Sequence, residues 1–250
     1  MKLLLDSVLL FLIVGGRYFA VSGGFYWYFY VWKQAAWSSR KISVAKATRT
    51  QIKNEIGWSL GTTGFFAVLG ALFFWCQEKG YTRVYMDFHE RGWVWYVASI
   101  FCLLFLHDAY FYWVHRLMHH RWFFRHFHKV HHESRVPTPF TSFSFHPLES
   151  FLEAVIVPAL AFLIPVHWSA FVIFLLIMTV SGVVNHLGYE IFSTRFMQSS
   201  IGRWFITPTN HELHHQRVSG NYGLYFTWWD YWFATSFEPR PLTSVIIREP

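Results

Sequence analysis

The side chains best suited to chemistry in this chain are its histidines, 15 in 250 residues. Eight of them fall into three short clusters: His115 and His119; His128, His131 and His132; and His211, His214 and His215. Residues three and four apart share a helix face, so each cluster is expected to project its rings in one direction. Neutral imidazole is a good ligand for iron, zinc and copper. Eight rings exceed the four ligands of a tetrahedral zinc site. They suit two metal ions, each with several protein nitrogens and open positions left over. His186, in "NHLGYE", is a ninth candidate because it falls level with the clusters at the end of an apolar segment. His89, His120, His126, His146 and His167 lie outside the pattern and read as ordinary polar side chains. Asp108 precedes His115 by seven residues, about two turns or 10 Å along a helix. That is too far to share a metal with His119, and it suits an active-site role in which a hydrogen bond fixes a ring.

The elements that must position these rings read as membrane helices. Hydrophobic residues make up 54% of the chain and charged residues 14%, against about 25% charged in ordinary soluble domains. A spanning helix needs about 20 mostly apolar residues. Residues 57–76, 92–115 and 167–189 meet that need, and 148–164 pairs with 167–189 as a hairpin, spanning or re-entrant, around Pro165 and Val166. Residues 3–32 are long enough too, although Asp6, Arg17 and two Gly-Gly pairs interrupt them. A kinked or tilted first helix is the preferred reading and a signal peptide the competing one. The expected fold is therefore an all-α integral membrane protein of four to five transmembrane helices under a histidine-rich helical cap.

Orientation follows from charge. Residues 33–55 carry Lys33, Arg40, Lys41, Lys46, Arg49 and Lys53 against one glutamate, and the excess of basic residues places this loop in the cytoplasm. Counting crossings forward puts 116–147 and the segment after 190 on the same side. The net charge of +7 is read as membrane orientation, since no nucleic-acid motif accompanies it. Cys76 and Cys102 form no metal-type pair and no disulfide framework.

At this point the chain resembles the fatty acid hydroxylase/sterol desaturase superfamily of membrane di-metal oxygenases. The residues that carry the likeness are "HDAYFYWVHRLMHH" (107–120), "HKVHH" (128–132), "PTPFTSFSFHPLES" (137–150), "NHLGYE" (185–190) and "HELHHQRVSGNYGLYFTWWDYWFAT" (211–235). "PTPF" followed by "FHPLE" is most similar to the branch containing sterol C-5 desaturases. The resemblance divides the chain into N-terminal helices with a basic loop (1–91), a catalytic domain (92–236) and a C-terminal tail (237–250).

The resemblance implies a non-haem di-iron site that activates dioxygen, ligated by His115, His119, His128, His131, His132, His211, His214 and His215, with His186. Zinc can occupy such a site in purified protein. It further implies an oxidoreductase that hydroxylates or desaturates a C–H bond of a lipid, using electrons from a separate donor protein. Phe111, Tyr112, Phe140, Phe143 and Phe145 are candidate walls of the substrate pocket. Trp228, Trp229, Tyr231 and Trp232 are a candidate aromatic belt. A bacterial inner membrane is the expected location, with the endoplasmic reticulum as the alternative, and the active site is expected to face the cytoplasm. Two other classes compete: a membrane metal-ion transporter and a bis-histidine haem protein.

Overall fold

The computed structural model describes residues 1–237, so of the expected tail only Phe237 falls within it. The chain is mostly helical, in the order α1 (Lys2–Tyr26), α2 (Arg49–Glu78), α3 (Gly92–Met118), α4 (Arg121–Phe127), α5 (Lys129–His132), α6 (Pro147–Leu163), α7 (Trp168–Asn185), α8 (Pro208–Arg217) and α9 (Trp228–Trp232). One pair of two-residue strands, β1 (Val84–Tyr85) and β2 (Val166–His167), departs from the all-α expectation; the strands run parallel.

Among the described residues, four segments are long and apolar enough to cross a membrane: Lys2–Trp32, Arg49–Glu78, Gly92–Met118 and Trp168–Asn185. Only 11–33% of the most apolar stretch of each is buried within the protein, so most of their hydrophobic surface faces outward. Leu12, Val94 and Phe101 are each more than half exposed. That surface is satisfied by hydrocarbon, and a helix pairs its own backbone there without water. This is an integral membrane protein. The first segment ends in a wider π-helical turn, Trp27–Trp32.

The fifth apolar helix, α6, is shorter, at 17 residues, and holds Pro158. It nevertheless runs from one end of the bundle to the other. Near its start Glu149 bonds His128, and near its end the Ala161 carbonyl accepts from Arg83 in the loop after α2. The strand pair β1–β2 closes that far end, where His167 caps α7 through Ser169 N–H and its Nε2 lies 2.9 Å from the Met86 carbonyl oxygen. His146 likewise caps α6, accepting from Leu148 N–H. Two histidines outside the clusters thus serve as helix caps.

The packing between helices is polar at a few buried points. Tyr18, on α1, is fully buried, and its hydroxyl lies 2.9 Å from Ser59 Oγ and 2.8 Å from the Phe140 carbonyl oxygen. Tyr30 donates to the Leu187 carbonyl across Gly188, whose φ of +72° leaves the close approach open only to glycine. These bonds fasten the N-terminal helix to the end of the bundle that carries the clusters. The basic loop 33–48 ends there too, with Lys41 paired to Tyr189.

Tyr18→Phe removes a buried donor and leaves the Phe140 carbonyl only the longer bond from Ser59 Oγ, at 3.2 Å. The expected loss is about 1 kcal/mol, a drop of roughly 2–4 °C in thermal midpoint. Detergent-solubilised protein followed by circular dichroism checks this, and an unchanged midpoint contradicts it.

Candidate metal centre

All nine candidate histidines converge at one end of the bundle, in two groups. Five rings form the first: His115, His119, His128, His132 and His214. Four form the second: His131, His186, His211 and His215. In each group the candidate ligand atoms lie within 4.8 Å of one another. The groups do not follow the sequence clusters. The second cluster gives His128 and His132 to one group and His131 to the other, and the third gives His214 to the first group and His211 and His215 to the second. The expectation that each cluster projects in a single direction is therefore corrected. Neighbours on a short helix such as α5 diverge by about 100° per residue, so adjacent rings such as His131 and His132 face different centres.

Ring orientation is set at Nδ1. His115 Nδ1 lies 2.9 Å from the Tyr222 carbonyl oxygen, His214 Nδ1 2.7 Å from that of Gly220, and His186 Nδ1 2.7 Å from that of Gly182. His128 Nδ1 lies 2.6 Å from Glu149 Oε1. A carbonyl or carboxylate oxygen can only accept, so Nδ1 carries the proton and Nε2 of each neutral ring is left with a lone pair. Yet His115 Nε2 and His128 Nε2 face each other at 2.9 Å. Two lone pairs at that distance repel unless a cation lies between them. The other close pairs have the same spacing, His119–His132 at 3.2 Å, His132–His214 at 3.1 Å, His131–His186 at 3.1 Å and His186–His211 at 2.9 Å, but Nδ1 of His119, His131, His132 and His211 meets no acceptor among the described residues, so their tautomers are not fixed this way. Nitrogens bound to one ion at about 2.0–2.1 Å, with angles of about 90–109°, lie about 2.9–3.4 Å apart. Spacing fits a transition-metal ion in each group, and in the first group the protonation of His115 and His128 fits one too.

The loop after α8 supplies the acceptors. It turns through Val218 and Asn221 at φ of +52° and +55°. A left-handed conformation is costly for a β-branched residue, and here it delivers the Gly220 and Tyr222 carbonyls to His214 and His115. Two carboxylates hold the loop. Asp230 accepts from Tyr222 N–H and Gly223 N–H, and Asp108 Oδ1 accepts from Leu224 N–H and Tyr225 N–H. The expected role of Asp108 is thereby corrected: it bonds no imidazole among the described residues, and acts on His115 through this backbone. Glu190 holds the start of α8 by accepting from Thr209, while Thr207 and Asn210 cap that helix reciprocally.

Burial keeps the rings neutral. His119, His128, His131, His132, His211, His214 and His215 are held below the usual imidazole range by loss of solvent, and neighbouring rings add to the effect. Burial lowers His186 to about 4.

A cavity of about 480 Å³ lies beside the two groups, a size ordinary for a small-molecule site. Phe111, Phe143 and Phe145 border it, but two of the five expected wall residues do not. Tyr112 is buried against Trp229 and Phe233, with its hydroxyl 3.0 Å from Thr235 Oγ1. Phe140 packs on Tyr18 and Tyr26. Helical position explains the first miss: Tyr112 follows Phe111 by one residue and so lies on another face of α3. Of the expected aromatic belt, Tyr231 and Trp232 are exposed. Sequence reasoning missed Glu149, whose signal was an acidic residue opening an apolar helix, and His107, which borders the cavity.

Two outcomes are expected. Protein loaded with cobalt or iron holds two ions per chain by elemental analysis, falling to about one in His131→Ala as in His128→Ala, because these near neighbours serve different groups. Wild-type protein that binds no metal removes the centre. For the metal-free protein, the His186 shift means that the unfolded chain binds more protons than the folded one between about pH 4 and 6.5. Stability therefore falls as pH drops through that window. Thermal midpoints measured across it check the sign.

Comparisons with known proteins place the chain among relatives. Residues 100–235 match the family described as fatty acid hydroxylase. Lathosterol oxidase of Rattus norvegicus is 31% identical over 185 residues, 73% of this chain and 60% of that protein. A Delta(7)-sterol 5(6)-desaturase of Gibberella zeae is 29% identical over 193 residues, 77% of this chain and 58% of that protein. One from Aspergillus fumigatus is 31% identical over 211 residues, covering 76% and 64%. The chain thus spans 58–64% of the length of these relatives. No solved structure matches it. The chain belongs to the fatty acid hydroxylase/sterol desaturase superfamily, in its sterol desaturase-like branch.

Proposed function

We propose that this protein is a membrane oxidoreductase with two iron ions, which uses dioxygen and external electrons to desaturate or hydroxylate a C–H bond of a sterol or similar lipid. The observation that carries the reading is the contact between the histidine groups and the apolar cavity. Phe111 packs edge-on to His115 at 5.0 Å between ring centroids, and Phe145 packs on His131 at 5.3 Å. Both phenylalanines also border the cavity, as does Gly182, whose carbonyl fixes His186. A lipid carbon at this end of the cavity lies one aromatic ring away from the ligands.

His115, His119, His128, His132 and His214 would hold one ion and His131, His186, His211 and His215 the other. Iron supplies the oxidising power to break an unactivated C–H bond, which side chains alone lack. The protein supplies the rest. Tyr222, Gly220, Gly182 and Glu149 orient the imidazoles, and the phenylalanines exclude water and seat the substrate. A haem would need its broad ring between two facing histidines, whereas neighbouring ring nitrogens here lie 2.9–3.2 Å apart, too close for a flat macrocycle to pass between them.

Electrons come from a separate protein. Arg116, Arg121, Arg125 and Lys129 lie on α3–α5 beside the ligands, which favours an acidic donor. The basic loop at this end of the bundle argues that the metal centre faces the cytoplasm.

The test is reconstitution in nanodiscs with iron, a generic donor, lathosterol and oxygen-18. Loss of two hydrogens without label means desaturation, and labelled product means hydroxylation. Glu149→Leu is expected to lower the rate 10–100-fold by freeing His128. Oxygen consumption that ignores every lipid offered overturns the reading.

A further inference from the structure

The cavity is not uniformly apolar, and its polar groups sit at one end. Along α7 it is bordered by Trp168, Phe171, Leu175, Met178 and Gly182, so it extends over about 21 Å of helix. Its Gly182 end adjoins the metal groups. At the Trp168 end the one polar wall residue outside α6 and α7 is Gln77, whose amide already donates to the Val84 carbonyl. The end near the metals differs. Arg17, His107, Ser142 and Glu153 all border it.

Glu153 is the unusual one. It follows Glu149 by one helical turn on α6, so the two carboxyl groups share a face about 6 Å apart along the axis. Glu149 is committed to His128. Glu153 opens to the cavity, and no hydrogen bond or ion pair among the described residues reaches it. An unpaired carboxyl in apolar surroundings is costly, and one within a membrane helix bundle marks function. Its surroundings are those of a small recognition site. His107, on the same stretch of wall, has its Nδ1 3.1 Å from Tyr225 Oη.

We propose that Glu153 accepts a hydrogen bond from a hydroxyl group of the substrate, so that the lipid lies with its hydroxyl end toward the metal groups and its apolar tail toward Trp168. This rests on the function proposed above and specifies its substrate. A neutral hydroxyl can donate to Glu153 and accept from its other neighbours. Glu153 is then a specificity-determining residue distinct from the ligands.

The test is equilibrium binding of radiolabelled lathosterol and of its O-methyl ether to the full chain in nanodiscs, with Glu153→Leu and Glu153→Gln alongside wild type. Wild type is expected to prefer the alcohol at least tenfold. Glu153→Leu should lose that preference while holding the ether as before, and Glu153→Gln, the same size with a neutral acceptor, should retain part of it. Variants that weaken alcohol and ether equally overturn the proposal, since that pattern reports lost packing. Wild type that oxidises lathosterol yet holds alcohol and ether alike overturns the anchor and leaves the oxidoreductase standing. Wild type that neither binds nor oxidises the sterol overturns both.

Discussion

The structure depends on a conflict between unshared electron pairs. His115 and His128 both spend Nδ1–H on fixed oxygen acceptors, and both turn Nε2 toward the same point. Folding alone gains nothing from that approach. A multivalent cation turns it into an attraction, and the other rings of both groups crowd their nitrogens to similar distances. The remaining architecture supplies acceptors at the right places and keeps water away, so that the imidazoles stay neutral and available.

Those acceptors come from distant parts of the chain. Glu149 opens α6, Gly182 belongs to the last turn of α7, and Gly220 and Tyr222 sit in a loop with two left-handed residues. The strain at Val218 persists because Asp108 and Asp230 together take four backbone N–H groups from residues 222–225. Asp108 thus influences the centre without touching it. Its site on α3, two turns from His115, links the membrane helix to the loop that aims the ring.

The bilayer imposes the second constraint. With lipid as solvent, the long helices can leave apolar faces outward and reserve their interior contacts for small or hydrogen-bonded groups such as Ser59 and Tyr18. Polar chemistry then concentrates at one end, where helix termini release backbone groups for capping and ring orientation. The cavity runs from that end along α7, which sets an apolar space beside the buried imidazoles.

The sequence by itself determined the helical membrane character and marked the nine histidines that the structure gathers at one end of the bundle. Each of these is written in local spacing or composition: runs of apolar residues, basic loops, and imidazoles at helical intervals. Only the tertiary structure decided how the rings divide. His131 and His132 are neighbours in the chain but belong to different groups, because about 100° of helical rotation separates them and their partners arrive from residues 186–215. The same holds for Tyr112 and Phe140, which aromatic composition marked as walls and packing turned away from the cavity. It holds for Glu149 and Glu153 too, since which side of a helix meets a metal ligand, and which meets an open cavity, depends on contacts made far along the chain.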